Sequence, residues 1–254
     1  MKKSLSISLL LISGIITSSA YAKMPATDSG SIKKMLPTIR KFYIGTGADA
    51  GIFSTAMIQK PAANNTTANS MGILRFSYII NVGLTFNFNL SRHLGVYTGI
   101  DLKNIGFIEH ENNSLTVKRR TYNIGAPVGI KIGNMAAKGS YLFLGAGADL
   151  PVNYKEKTFV VRNQKAKFNE WFSSATPAIM PYVFAGFALK NTVSFKLQYY
   201  PNNFLNPDYT RNAVKPYYGY DVHLLLLSLG FPMPLGGHKD MVKKHVADLN
   251  TATM

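Results

Sequence analysis

Leu74-Arg75-Phe76-Ser77-Tyr78-Ile79-Ile80-Asn81-Val82-Gly83-Leu84-Thr85-Phe86-Asn87-Phe88-Asn89-Leu90 alternates with a period of two. Every even position is apolar. Every odd position except Ile79 is polar or glycine. Successive side chains of an extended chain point to opposite faces, so the run predicts a strand with one greasy and one polar side. Strands of soluble proteins run about 5–6 residues, and a strand that crosses a bilayer needs about 9–11. This one is long enough to cross and protrude.

The rest of the chain fits that reading. Lys2 and Lys3 form a positive n-region, Leu9 to Ile16 an apolar core, and Ala20-Tyr21-Ala22 a small-x-small site, which together predict a signal peptide cleaved after Ala22. Ser13, Gly14, Thr17, Ser18 and Ser19 break the apolar stretch too early for a membrane anchor. The chain has no cysteine, which excludes a disulfide scaffold, thiolate metal sites and a lipoprotein anchor. Mean hydropathy is +0.03, too low for a bundle of membrane helices but ordinary for strands greasy on one side only. The formal net charge is +16. For an exported chain this argues against nucleic acid and for anionic lipopolysaccharide phosphates or an acidic partner, unless the excess serves solubility alone.

Seven further segments alternate. They are expected strands at about 41–53, 94–104, 119–132, 140–153, 177–189, 192–200 and 217–231. In the first, Phe42, Ile44, Thr46, Ala48, Ala50 and Ile52 share one face. The segment 177–189 is apolar on both faces, which leaves its register open, and Pro127 interrupts the fourth strand of the eight as a bulge would. Connections at 54–70, 105–118, 154–176 and 201–216 are long, whereas those at 91–93, 133–139 and 190–191 are short. Long loops alternating with tight turns are the plan of bacterial outer-membrane barrels, with the long loops outside. The expected fold is therefore all-β: an eight-stranded antiparallel transmembrane up-and-down β-barrel. The expected organisation is signal peptide 1–22, periplasmic leader 23–40, barrel 41–231 and periplasmic tail 232–254, the tail carrying Met241, Val242, His245, Val246 and Leu249 at helix-like spacing.

A soluble secreted barrel would invert the faces, with apolar side chains inside. Glycines argue for the membrane. Gly45, Gly47, Gly51, Gly83, Gly95, Gly99, Gly125, Gly129, Gly145 and Gly147 crowd the less apolar face, where a narrow interior needs small residues. The same face carries Asp49, Arg75, Asp101, Lys103, Lys131, Asp149, Lys196 and Asp221, four acids against four bases. An eight-stranded interior is just wide enough for side chains to fill it, and unpaired buried charge is costly. An internal ion-pair network plugging the barrel is expected, with Asp49 and Arg75 as a pair. A channel lining is the alternative.

Signals for catalysis are weak. His223 and Asp221 stand two apart on one strand and so share a face, where they are expected to join the internal network rather than act on lipid. His110 sits in a polar loop tip, His93 in a turn, and His238 and His245 in the tail. No catalytic residue, metal ligand or cofactor is assigned. Lys118, Arg119, Arg120, Lys155, Lys157, Arg162, Lys165 and Lys167 would form a basic outer rim at the height of lipopolysaccharide phosphates.

Gly99-Ile100-Asp101-Leu102-Lys103, and the run from Lys118 to Lys131 with Tyr122, Pro127 and Lys131 in a Tyr…Pro-x-x-x-Lys pattern, resemble the PorT-like outer-membrane β-barrel proteins of Bacteroidetes. The close match covers about a tenth of the chain. The resemblance implies an exported eight-stranded barrel with a link to protein secretion and surface maturation. The chain thus reads as a non-enzymatic structural or interaction barrel of the outer membrane, with outer-membrane lipid, lipopolysaccharide and envelope or secretion proteins as partners and no nucleic acid. A secretion accessory, or a lipid-modifying barrel enzyme, is the alternative.

Overall fold

The computed structural model describes residues 39–62, 66–77, 81–112, 115–136, 139–160, 164–190, 192–231 and 233–234. All belong to one compact unit, Pro37–Met254. The expected signal peptide, its cleavage site, nearly all of the leader, the helix-like tail, Arg162, His238 and His245 lie outside the described residues.

Twelve strands are described: β1 (Phe42–Pro61), β2 (Thr67–Met71), β3 (Arg75–Ser77), β4 (Asn81–Asn89), β5 (Leu94–Asn112), β6 (Leu115–Gly133), β7 (Tyr141–Val160), β8 (Gln164–Trp171), β9 (Met180–Leu189), β10 (Val193–Tyr200), β11 (Asp221–Gly230) and β12 (Met233–Pro234). They form one antiparallel up-and-down sheet. Its path runs β11-β10-β9-β7-β6-β5-β4-β1, and β11 pairs in turn with β1 from Asp49↔Gly230 to Gln59↔Asp221. β2 and β3 pair with β1, and β8 pairs with β7. Met233 and Pro234, expected in the tail, instead pair with Thr46 and Gly45 of β1. The stretch Leu74–Leu90 contains β3 and β4, with 78–80 outside the described residues.

One face of the sheet is buried and the other exposed. On the exposed face Leu94, Ile100 and Leu102 of β5 lie beside Ile124, Val128, Ile130 and Ile132 of β6 and Leu142, Leu144 and Leu150 of β7. They make a band about one bilayer crossing long. Leu74, Phe76, Val82, Leu84, Phe88 and Leu90 continue it. The open register of the segment 177–189 resolves with Tyr182 and Phe184 buried and Val183, Phe187 and Leu189 exposed.

Three expectations need correction. First, three of the expected long loops are largely strand: within 54–70 β1 runs on to Pro61 and β2 covers Thr67–Met71, β5 runs on to Asn112 and β6 begins at Leu115, and β7 and β8 form a hairpin through 154–171. The alternation continues there with its sign reversed. Ile105, Phe107 and Val117 are buried, whereas His110 is exposed and Lys118 and Arg120 lie on the outward face with it. Beyond the band polar residues take the outward side and apolar ones turn in. Second, the face of β1 switches part-way. A bulge between Asp49 and Gly51 shifts the register. Ile52 is therefore 3% exposed and Phe53 40%, the reverse of the expected assignment. Third, Asp221 and His223 lie on the outward face of β11, with Leu227, while Val222, Leu224 and Leu226 are buried.

The buried apolar cluster gathers where the extended hairpins meet the 201–220 connection. Phe107, Tyr154 and Tyr200 pack there with Phe204, Leu205, Tyr209 and Tyr217. Phe107 meets Phe204 edge-on at 5.6 Å, and Tyr209 stacks on Tyr217 at 5.7 Å. That connection is thus folded into the structure rather than looped away from it.

Candidate functional site: a tiered interior and a basic outer face

The buried face carries charge at three levels. At the end of the sheet nearest the short turns, Lys131 donates to the Tyr43 hydroxyl at 3.1 Å and to the Asn87 side-chain carbonyl. The rings of Tyr43, Tyr97 and Tyr141 surround it, with centroids 5.3, 5.1 and 5.0 Å from Nζ. An ammonium caged by three ring faces replaces its water with quadrupoles and two oxygens instead of a counter-ion.

In the middle, Lys103 Nζ lies 2.8 Å from Asp149 and 3.4 Å from Asp101, over the Tyr182 ring at 3.8 Å. Asp149 also accepts from the Tyr200 hydroxyl and from Asn123. Beside this trio Lys196 meets Asp49 at 3.1 Å, and Asn81 donates to the same carboxylate. Gly125 faces the trio, and a Cβ there would run into both carboxylates and the Lys103 chain, so only glycine admits this convergence. A cavity of about 90 Å³ remains between Asp49, Asn81, Tyr97, Asp101, Tyr182 and Lys196. At about 30 Å³ per water it has room for a few solvent molecules, well short of a small-molecule site.

Towards the long connections, Arg119 is the hub. Its guanidinium meets Glu109 at 2.7 Å, Glu111 at 2.6 Å and Glu156 at 3.1 Å. Lys60 pairs with Glu109 at 2.8 Å, and Arg211 with Glu156 at 3.4 Å. The hydroxyls of Tyr154 and Tyr217 also donate to Glu156, at 3.2 and 3.0 Å. Burial and the adjoining carboxylate push the Tyr154 and Tyr217 hydroxyls well above the ordinary tyrosine range. Three acids face three bases, and Tyr217 and Arg211 tie the 201–220 connection to the hub.

Of the expected network residues, the fold brings Asp101, Lys103 and Asp149 together, and Asp49 with Lys196. Lys131 is held by neutral groups. Arg75 does not meet Asp49; it donates to Asn104 at 2.8 Å and lies near Ser77 and Ser54. The β1 bulge puts Asp49 below Arg75, which sits opposite Ser54. Asp221 faces outward and bonds to His223 at 3.2 Å. The parity of Leu225, Leu227, Leu229 and Phe231 already placed Asp221 on their side. The sequence reading missed the Arg119 hub for the same reason: a residue three before Tyr122, which shares the parity of the exposed Ile124, must face the other way.

Arg119 thus leaves the expected basic rim. The outward face above the band forms a grid across β5, β6, β7 and β8. Its lowest row in register is Asn104, Tyr122, Asn153 and Trp171, of which Asn104 and Asn153 are buried. The next is Gly106, Arg120, Lys155 and Asn169. Above come Ile108, Lys118, Lys157 and Lys167, then His110, Thr116, Phe159 and Lys165. Six cations and no acid occupy these positions. Arg120 and Lys155 both lie over the Tyr122 ring, at 5.6 and 5.0 Å. Burial, then Arg75, Arg120 and Lys157, hold Lys118 below the ordinary lysine value. Like charges directly opposite in a sheet destabilise it by about 0.2–1 kcal/mol each. Trp171 and Phe172 stand exposed at the grid's lower corner, Phe172 with a φ of 50°.

Several solved structures share a similar course of strands. Ail, the attachment invasion locus protein of Yersinia pestis, seen in complex with the heparin analogue sucrose octasulfate, is 13% identical over 76% of this chain and 97% of that one, with a TM-score of 0.31. Neisserial surface protein A is 13% identical over 77% and 98%, with a TM-score of 0.33. CarO of Acinetobacter baumannii is 14% identical over 72% and 97%, with a TM-score of 0.32. These likenesses are loose and assign no role to any residue of this chain. No protein-family profile and no curated protein sequence matches the chain. In the motif that resembles PorT-like proteins, Tyr122 stands on the outward face, while Lys131 is the caged ammonium of the interior.

Proposed function

We propose that the chain is a non-enzymatic outer-membrane β-barrel with a filled interior and a structural or interaction role at the cell surface. In this reading β3 and β4 share one position in the wall, so that the wall has eight positions: β1, β3 with β4, β5, β6, β7, β9, β10 and β11. The β1–β11 pairing joins its ends. β2 and β8 belong to hairpins that rise beyond the bilayer on the outer side.

The observation that carries the reading is the pairing of faces along one stretch of strand. From Ile124 to Ile132 the even residues of β6 stand exposed and, Ala126 apart, are large and apolar; of the odd ones, Lys131 is buried and caged. Such a band has no solvent of its own kind except lipid. The three charged tiers, each supplied with partners, favour a plug over a conduit, since an unpaired charge inside would cost several kcal/mol.

The test has two arms. Cells expressing the full chain are fractionated, and the folded protein is expected in the outer-membrane fraction, resistant to carbonate extraction and heat-modifiable on gels. Purified protein in planar bilayers is expected to give no stable conductance steps. Recovery in the periplasm would overturn the barrel reading, and porin-like steps would overturn the plug.

A further inference from the structure

We infer that the outward grid of β6, β7 and β8 is a clamp for the phosphate groups of an outer-leaflet glycolipid, held by Arg120 with Lys155 and by Lys118 with Lys157 and Lys167. The inference rests on the outer-membrane reading above. It differs from a merely basic rim in naming which cations act and how they are spaced.

Four observations converge. The cations are sorted by parity: Arg119 turns inward to three carboxylates, while Lys118 and Arg120 on either side of it turn outward. They stand in register across strands, Arg120 opposite Lys155 and Lys118 opposite Lys157, which is opposite Lys167. Two such rows lie two residues apart along the strand, about 7 Å, so each can take its own anionic group. Among the described residues of the grid no acid neutralises them, although the interior matches Glu109, Glu111 and Glu156 each to a base.

Height selects the ligand. The rows begin immediately above Tyr122 and Trp171, which cap the apolar band of Ile124 and Leu150. Aromatic side chains of this kind mark the lipid headgroup level. A phosphate attached to a membrane lipid is delivered there by its own acyl chains, whereas a soluble polyanion would need to reach down the wall. Exposed Trp171 and Phe172 beside the rows offer apolar contact to those chains. The lysines supply point charges for monophosphate groups, and Arg120 a fork of donors.

The chemistry also sets the competitor. In a leaflet of phosphorylated glycolipids, divalent cations neutralise the phosphates between neighbouring molecules. A protein that carries its own row of ammonium groups replaces those ions where it touches the lipid. Glycolipid held by the grid is therefore retained when divalent cations are removed.

The test uses the full chain refolded into phosphatidylcholine vesicles containing lipid A, with three comparisons. These are lipid A lacking its phosphates, soluble heparin in place of lipid A, and the triple variant Lys118→Gln, Lys157→Gln, Lys167→Gln. Wild type pulled down in EDTA is expected to retain lipid A at least 10-fold above the dephosphorylated form, and the variant to lose that excess. Heat-modifiable migration of the variant verifies that it is folded. A second variant, Arg120→Gln with Lys155→Gln, reads the lower row separately. Equal retention by wild type and folded variants overturns the clamp. Preferential capture of heparin overturns the lipid source in favour of a soluble polyanion. Failure of the wild type to enter vesicles overturns the membrane reading itself, a result distinct from both.

Discussion

Arg119 and Arg120 are neighbours in sequence and opposites in structure, and exchanging each for glutamine tests the parity of β6 directly. Arg119 is buried against Glu109, Glu111 and Glu156. Breaking a buried ion pair from one side costs about 3–5 kcal/mol, because the stranded charge has lost its solvent as well as its partner. Here Glu109 keeps Lys60, and Glu156 keeps Arg211 and two tyrosine hydroxyls. Glu111 has a quarter of its side chain exposed and recovers water. The loss from Arg119→Gln should therefore fall at the lower end, about 3 kcal/mol. Arg120 has a ring and a lysine for neighbours and no acid. Arg120→Gln should stay within about 0.5 kcal/mol of wild type, as surface substitutions do. Urea unfolding in vesicles, followed by the fluorescence of the chain's single tryptophan, Trp171, reads both. At a slope of about 2 kcal/mol per molar, Arg119→Gln should lower the midpoint by roughly 1.5 M. Equal midpoints for the two variants, or a larger loss at Arg120, would refute the assignment of faces.

Tyr217→Phe removes a hydroxyl shared by Glu156 and Tyr154, a loss of about 1.5–3 kcal/mol for a bond to a charged group. The 201–220 connection should open more often, and trypsin should cut after Arg211 faster than in wild type; an unchanged rate would mean that the connection is held by its apolar contacts alone. Lys118 should titrate below an ordinary lysine, and Lys157→Gln should raise its pKa, read by NMR of lysine side chains. Because its folded value is depressed, Lys118 penalises the fold while charged, and that penalty is relieved as pH rises from the folded value towards 10.5. A downward shift on losing Lys157 would contradict the grid.

The alternation of Leu74–Leu90 and its companions made the wall legible because, in the proposed barrel, lipid outside and a crowded interior inside impose opposite chemistries on adjacent residues. The upper halves of the strands were hidden by the same logic. In that barrel the outside beyond Lys103 and before Tyr122 is water, which matches Ile105 and Phe107 turning in while Lys118 and Arg120 turn out. A reading that holds the greasy parity constant sees such a stretch as loop. The bulge at Asp49–Gly51 was illegible for another reason: one extra residue leaves composition unchanged and reverses every face after it. Single residues could have been placed. Asp221 shares parity with Leu227, and Arg119 opposes Tyr122, so counting along the strand puts one outside and the other within. Which acid pairs with which base was not countable, since it depends on stagger between strands far apart in sequence, as with Lys196 and Asp49.

The reversal of faces part-way up β5 and β6 has a consequence for biogenesis. The cluster of Phe107, Tyr154, Phe204, Leu205 and Tyr217 takes contributions from β5, β7 and the 201–220 connection. In the proposed orientation those segments must each be threaded through the bilayer before any of them can pack with the others. While in transit their apolar side chains have no common partner, and Arg119 travels with Glu109 and Glu111 of its own hairpin but without Glu156 of β7. Collapse becomes available only on the far side, and once it has happened, backward slippage would have to dissolve a water-type core to drag it through lipid. In the proposed orientation the extension would thus be a knot tied after threading, making insertion a one-way step.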